Sequence, residues 1–174
     1  MPFLDSDYAA HPQIPVLVLG VGNTLMGDDG IGVELINQLR PRISDPRVQL
    51  EDGGTLGMSL LPFIEDADTV IMLDAVKTGH LPGQIVVIEG DEIPRHFSSV
   101  ISPHQIGMKE VLGAAQLCGT LPRRLILLGI EAQDVGFCAP ISTAVNLAIP
   151  AALTKIEMLI HEALDNYNHH LCTK

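Results

Sequence analysis

The sequence predicts an α/β domain, and three observations predict it. Short aliphatic runs alternate along the chain with stretches of helical periodicity. The runs do not alternate apolar with polar residues, as strands covered on both faces of a sheet should not. No repeat, low-complexity tract or linker interrupts the pattern. With 174 residues and 18.7 kDa, the chain has the length of one domain, expected to span residues 1–174 with 1–14 and 168–174 as peripheral tails.

The elements follow in order. Val16 to Gly20 (VLVLG) is the first strand, and residues 30–40 (GIGVELINQLR) make a helix stopped by Pro41. Val48 to Glu51 is a short second strand, Leu56 to Ile64 suits a helix, and Thr69 to Ala75 (TVIMLDA) is a third, fully buried strand. Gln84 to Glu89 is the fourth. Only the eight residues VKTGHLPG separate it from the third, fewer than the dozen or so that a parallel crossover needs, so the fourth strand should run antiparallel. A helix from Pro103 to about Leu117, a fifth strand from Leu125 to Ile130 and a helical region from 143 to 167, kinked or restarted at Pro150, complete the chain.

Composition excludes several partners. Lys and Arg number 10 against 21 Asp and Glu, a formal net charge of -11, which argues against binding a phosphate backbone. Aromatics are 3% with no Trp, so the platforms that stack single-stranded bases are mostly missing. Cys118, Cys138 and Cys172 have no C-x-x-C spacing, which fits a reducing compartment and neither a disulfide framework nor a zinc knuckle. The first fifteen residues carry no Lys or Arg and no signal-like apolar run, and nowhere do 18 uninterrupted apolar residues occur. The expectation is a cytoplasmic protein that meets neither nucleic acid nor membrane.

Three places carry chemistry. After the first strand comes Gly20-Val21-Gly22-Asn23-Thr24-Leu25-Met26-Gly27-Asp28-Asp29-Gly30-Ile31-Gly32. A dinucleotide fingerprint starting at Gly20 needs Gly or Ala at 25 and finds Leu25, and two carboxylates occupy the seat of a pyrophosphate. Nucleotide binding, with Asp52 as ribose acid, is therefore the weaker alternative. One Asp suffices to cap a helix. Two, followed by Gly30 and Gly32 that allow close approach to the backbone, point to a site.

Asp74 closes the apolar run VIMLDA, where a carboxylate is costly to leave unpaired. A donor or a metal should meet it, the alternative being a turn cap or a pair with Lys77. In Ser102-Pro103-His104-Gln105, Ser102 and Gln105 form a capping box with Pro103 at N1. His104 then shares a face with Met108, Val111, Leu112 and Ala115, and it is either a satisfied histidine at the core edge or a ligand.

Topology joins the three. Ligands of open α/β sheets bind at the carboxyl ends of the parallel strands. Asp29 follows the first strand, Asp74 ends the third, and the helix carrying His104 begins at the same edge if the fifth strand is parallel. Two carboxylates and an imidazole suit a divalent transition ion such as nickel or zinc, with positions left open for water or a substrate group.

Gly20 to Asn23 with Asp28 to Gly32, then Asp52-Gly53-Gly54-Thr55, then Asp74-Ala75 with Pro82-Gly83, then Ser102 to Gln105, resemble in chain order the motifs of the nickel-iron hydrogenase maturation endopeptidases. The resemblance spans roughly residues 16–160. It implies an α/β/α fold on a five-stranded mixed sheet of order 2-1-3-5-4 with strand four antiparallel. It also implies an endopeptidase that removes the C-terminal extension of a hydrogenase large-subunit precursor after nickel insertion. By position, Asp29, Asp74 and His104 correspond to the family's metal-contacting and catalytic residues. Nickel presented by the substrate is the implied metal, and zinc or cadmium are other divalent ions the site would take. Asp28, Asp52, Gly53, Gly54 and Thr55 are candidates for docking the substrate, with a plain turn as the alternative for 52–55. A non-catalytic nickel-binding accessory protein is the alternative function. The segment after Leu164, with His169, His170 and Cys172, falls outside the resemblance and is expected to be frayed.

Overall fold

The computed structural model of the protein describes residues 14–90, 92–93 and 103–172. Its elements are β1 (Ile14–Val21), α1 (Ile31–Leu39), β2 (Val48–Gly54), α2 (Leu61–Glu65), β3 (Ala67–Val76), β4 (Ile85–Glu89), α3 (Pro103–Cys118), β5 (Arg124–Glu131) and α4 (Thr143–Cys172). Short 3-10 turns, Gly27–Gly30 and Gly57–Leu60, lead into α1 and α2. The strands form one sheet of order β2-β1-β3-β5-β4. β1 pairs in parallel with β2 and β3, β3 in parallel with β5, and β4 antiparallel to β5, as the short β3–β4 loop requires.

Alternation along each buried strand sorts the core into two layers. Val16 and Val18 of β1, Ile71 and Leu73 of β3, and Ile126 and Leu128 of β5 pack against α1 and α4. Leu17 and Leu19, Val70 and Met72, and Leu127 face the other way, against α2 and α3. All ten residues of β3 are buried. Burying each large aliphatic side chain contributes on the order of 1.5–3 kcal/mol, so this central strand anchors both layers. By the same alternation Asp74 falls on the α3 side, between Met72 and Val76.

Two expectations change. Of the two readings of Pro150, a kink or a restart, the restart does not occur: the last helix runs on through it. Proline removes the bond that the carbonyl of residue 146 would accept, but Pro150 and Asn146 are both exposed, so water can satisfy that carbonyl. Nor does the chain fray after Leu164: the helix continues to Cys172, including His169 and His170.

Over Thr143–His170, α4 is long and apolar enough to cross a membrane by length and composition. Its apolar residues Val145, Ile149, Leu153, Ile156 and Ile160 lie at 3- and 4-residue spacing and are buried against the sheet, which is how a core helix passes such a test.

Candidate active site

The parallel strands β1, β2, β3 and β5 end at one edge, and the sequence-predicted residues collect there. Asp74 is the eighth of the ten residues of β3 and fully buried, and its Oδ1 accepts the Ala75 N–H at 2.8 Å. On β5 its paired residue is Gly129, which leaves no side chain beside the carboxylate. A Cβ there would run into the Val76 side chain.

Asp29 sits in the 3-10 turn before α1 and is 1% exposed, and its Oδ2 accepts the Asn23 N–H at 3.1 Å. Two glycines bring that turn over the strand ends. At Gly22, φ is +131°, and a Cβ would collide with the Asp29 carbonyl oxygen. At Gly32 a Cβ would collide with the carbonyl oxygens of Val21 and Leu73, the residue just before Asp74. The close approach that Gly30 and Gly32 announce in the sequence is therefore that of the chain's own β1 and β3. Position 32 is where α1 rests on the sheet, and this contact carries Asp29 to the level of Asp74.

Residue 104 lies in the first turn of α3. Met108, Val111, Leu112 and Ala115, the residues whose periodicity it continues, are all buried. α3 leads into β5, which is parallel to β3, so its first turn belongs to the carboxyl edge. The β2–α2 loop confirms that placement: a Cβ on Gly107 would lie 3.3 Å from the Cα of Gly57. The side chain of His104 and the capping residue Ser102 lie outside the described residues. Among the described residues no three His, Cys, Asp or Glu side chains stand close enough to hold a metal. The pair Asp29 and Asp74 supplies hard oxygen donors, which suit a divalent ion completed by an imidazole or by ligands from elsewhere.

The docking candidates separate. Asp52, Gly54 and Thr55 line an open cleft of about 210 Å³ with Gly22, Asn23 and Thr24, directly beside the turn that holds Asp29. Gly53 faces inward: it is buried, and a Cβ would sit 2.8 Å from Leu19 Cδ1, so packing explains it. Asp28 is fully buried. Its Oδ2 accepts the N–H groups of Gln133 and Asp134 at 2.8 and 2.9 Å, and its Oδ1 that of Ser142 at 2.6 Å. What Asp28 docks is the β5–α4 loop of its own chain, and both of its oxygens are engaged in doing so.

Glu131, the last residue of β5, is a residue that sequence reasoning missed. It is 4% exposed, and its carboxylate accepts the Thr78 N–H at 2.9 Å, the Gly79 N–H at 3.0 Å and the Thr78 hydroxyl at 2.7 Å. Burial pushes its carboxyl up, but the Thr78 and Gly79 hydrogen bonds outweigh burial and hold it below the usual glutamate range. The Thr78 hydroxyl also lies 2.5 Å from His80 Nδ1. Its single proton goes to Glu131, so Nδ1 of His80 is the donor in that contact. The only available signal was position: an acid ending an apolar strand, as Asp74 nearly does.

Comparisons with known proteins give the family. Residues 33–159 match a family model described as hydrogenase maturation protease. The matched stretch contains Asp74 and His104 and begins just after Asp29. The chain is 41% identical over 154 residues to hydrogenase expression/formation protein HupD of Rhodobacter capsulatus, covering 86% of this chain and 69% of that one. It is 35% identical over 150 residues to the hydrogenase 2 maturation protease of Escherichia coli, covering 85% and 92%. Among solved structures, the hydrogenase maturating endopeptidase HybD from E. coli superimposes with a TM-score of 0.80 at 34% identity, covering 85% of this chain and 93% of that one. The nucleotide-binding and accessory-protein alternatives give way to this match. A five-stranded mixed sheet with two buried carboxylates at its carboxyl edge, matched over most of its length to these enzymes, belongs to the hydrogenase maturation protease family of endopeptidases.

Proposed function

We propose that this endopeptidase removes the C-terminal extension of a nickel-iron hydrogenase large-subunit precursor once nickel is in place, and that Asp29, Asp74 and His104 read the nickel carried by that substrate. The observation that carries the reading is the burial of Asp29 and Asp74, 1% and 0% exposed, on two segments of the carboxyl edge that meet where Gly32 rests on the Leu73 carbonyl. Two acids there without a thiolate bind free metal weakly, which is what a check on a metal held by the partner requires.

A divalent ion at this edge supplies charge to polarise the scissile carbonyl. The chain's own contribution is geometric and acid–base. Gly22 and Gly32 set the height of Asp29 above β3, and Asp74 is fixed by the strand and by its bond to the Ala75 N–H. Either carboxylate is placed to accept the proton of an attacking water. The cleft beside Asp52, Gly54 and Thr55 is the place for the extended peptide.

The test is mass spectrometry of nickel-loaded and nickel-free precursor before and after incubation with the protein. Loss of a C-terminal segment from the nickel-loaded form alone is the expected result. Equal shortening of nickel-free precursor by a protein holding stoichiometric zinc overturns the reading of nickel.

A further inference from the structure

At the carboxyl edge three carboxylates lie inside while large apolar side chains on the same loops point outward. Asp28, Asp29 and Glu131 are buried, and each ends on backbone N–H groups of an edge loop. Asp28 fastens the β5–α4 loop, Asp29 the turn after β1, and Glu131 the β3–β4 loop. The same three loops carry Phe137, Leu25 and Leu81, which are 74%, 57% and 77% exposed. Leu56 and Met58, on the β2–α2 loop, add to them from the other side. Half of the ten large apolar side chains exposed among the described residues thus lie on the loops of the carboxyl edge.

These side chains are not loose ends awaiting collapse. The Cys138 N–H donates to the Leu25 carbonyl at 2.7 Å, tying the Phe137 loop to the Leu25 loop, and the Leu25 N–H donates to Asn23 Oδ1 at 3.0 Å. Loops held by buried carboxylates keep the apolar groups outward at a fixed geometry. Such preorganisation lowers the entropy cost of docking.

We propose that Leu25, Leu81 and Phe137, flanked by Leu56 and Met58, form an apolar rim that seats a folded protein surface: the region of the hydrogenase large-subunit precursor around its metal. The occupant follows from position. Asp29 and Asp74 lie buried at the strand edge from which these loops project, so a folded substrate reaching them from that edge meets the loops' apolar side chains. The inference rests on the proposed function, in taking the precursor as substrate.

Two measurements separate it from that reading. One is the Kd for nickel-loaded precursor by surface plasmon resonance; the other is KM and kcat for its shortening. The variants are the double substitution Leu25→Ser with Phe137→Ser, the single Leu81→Ser, and Leu117→Ser as control, a still more exposed leucine near the end of α3 away from this edge. The double variant should weaken Kd and raise KM by at least about 10-fold, with kcat within about twofold, while the control stays within about twofold on both. Circular dichroism melts should superimpose, since all of these side chains are exposed.

Rim variants that bind and cleave like wild type overturn the proposal and leave the proposed function standing. Rim-dependent binding without any shortening of the precursor supports the rim and overturns the proteolytic reading of that substrate. A wild-type dimer in sedimentation velocity that the double variant abolishes, with Kd for precursor unchanged, assigns the rim to a second copy of this chain and overturns the proposal.

Discussion

Replacing Asp28 with Asn separates a docking residue from a positioning residue. The carboxylate accepts three backbone N–H groups at 2.6, 2.8 and 2.9 Å in a fully buried position. Asparagine keeps the shape but exchanges one oxygen for an NH2. Its oxygen serves the Gln133 and Asp134 pair best, which leaves the NH2 facing the Ser142 N–H, donor against donor. The variant loses one charge-assisted bond, leaves an N–H unsatisfied, and weakens the two remaining bonds to neutral strength. Together these cost about 3 kcal/mol. For a chain of this length that lowers Tm by roughly 6–12 °C. Thermal unfolding followed by circular dichroism reads the shift. Cleavage of precursor, measured well below the new Tm, should fall by about 10-fold or more, because the backbone at 28 sets the neighbouring Asp29. If Asp28 met substrate directly, Tm would hold and KM alone would rise. A Tm within about 2 °C of wild type refutes the reasoning.

Gly32→Ala forces its methyl group into the carbonyls of Val21 and Leu73, so it should destabilise by about 2 kcal/mol or more in urea unfolding despite alanine's better helix propensity. Asp74→Asn should abolish shortening of nickel-loaded precursor in a mass-spectrometric assay while Tm stays within a few degrees, because the amide oxygen can still accept the Ala75 N–H. Glu131→Gln tests the acid limb of stability. The folded carboxyl titrates below its unfolded value, so its contribution is complete above the ordinary glutamate range and is lost as pH falls through and below that range. The variant should therefore be less stable than wild type at pH 7, and the gap should narrow toward pH 3, as urea titrations at the two pH values will show.

The sheet was legible because its chemistry is one-dimensional. A parallel strand buried on both faces is an unbroken aliphatic run wherever it lies, and the eight-residue β3–β4 loop fixes the direction of β4 by length alone. The burial of Asp74 was legible for the same reason, as an acid near the end of such a run, and that of Asp29 from the glycine-rich turn that follows the first run. What could not be read is that Asp28, one of two adjacent buried acids, binds a loop more than a hundred residues away. Asp28 is assigned by N–H groups 105 to 114 residues further on, and no local pattern encodes them. Glu131 depends similarly on Thr78 and Gly79, 53 and 52 residues earlier. The continuity of α4 through Pro150 was not legible because it depends on whether the carbonyl that the proline orphans faces water, which is a fact of packing.

The same long-range bonds explain how a small domain whose cysteines are free holds a site on loops. An apolar loop would fix itself by burying side chains, and would then have none to offer a partner. Here Asp28 and Glu131 do the fixing through backbone N–H groups, at fixed distances and with fixed direction. The loops' apolar residues are released for the surface, and the cost of burying the acids is met by bonds to donors that would otherwise need water. Each acid is therefore coupled to what its loop presents: Asp28 to Phe137 and Glu131 to Leu81. Removing the acid and removing the apolar residue should not add, since a loop already loosened has lost most of what its leucine or phenylalanine contributes.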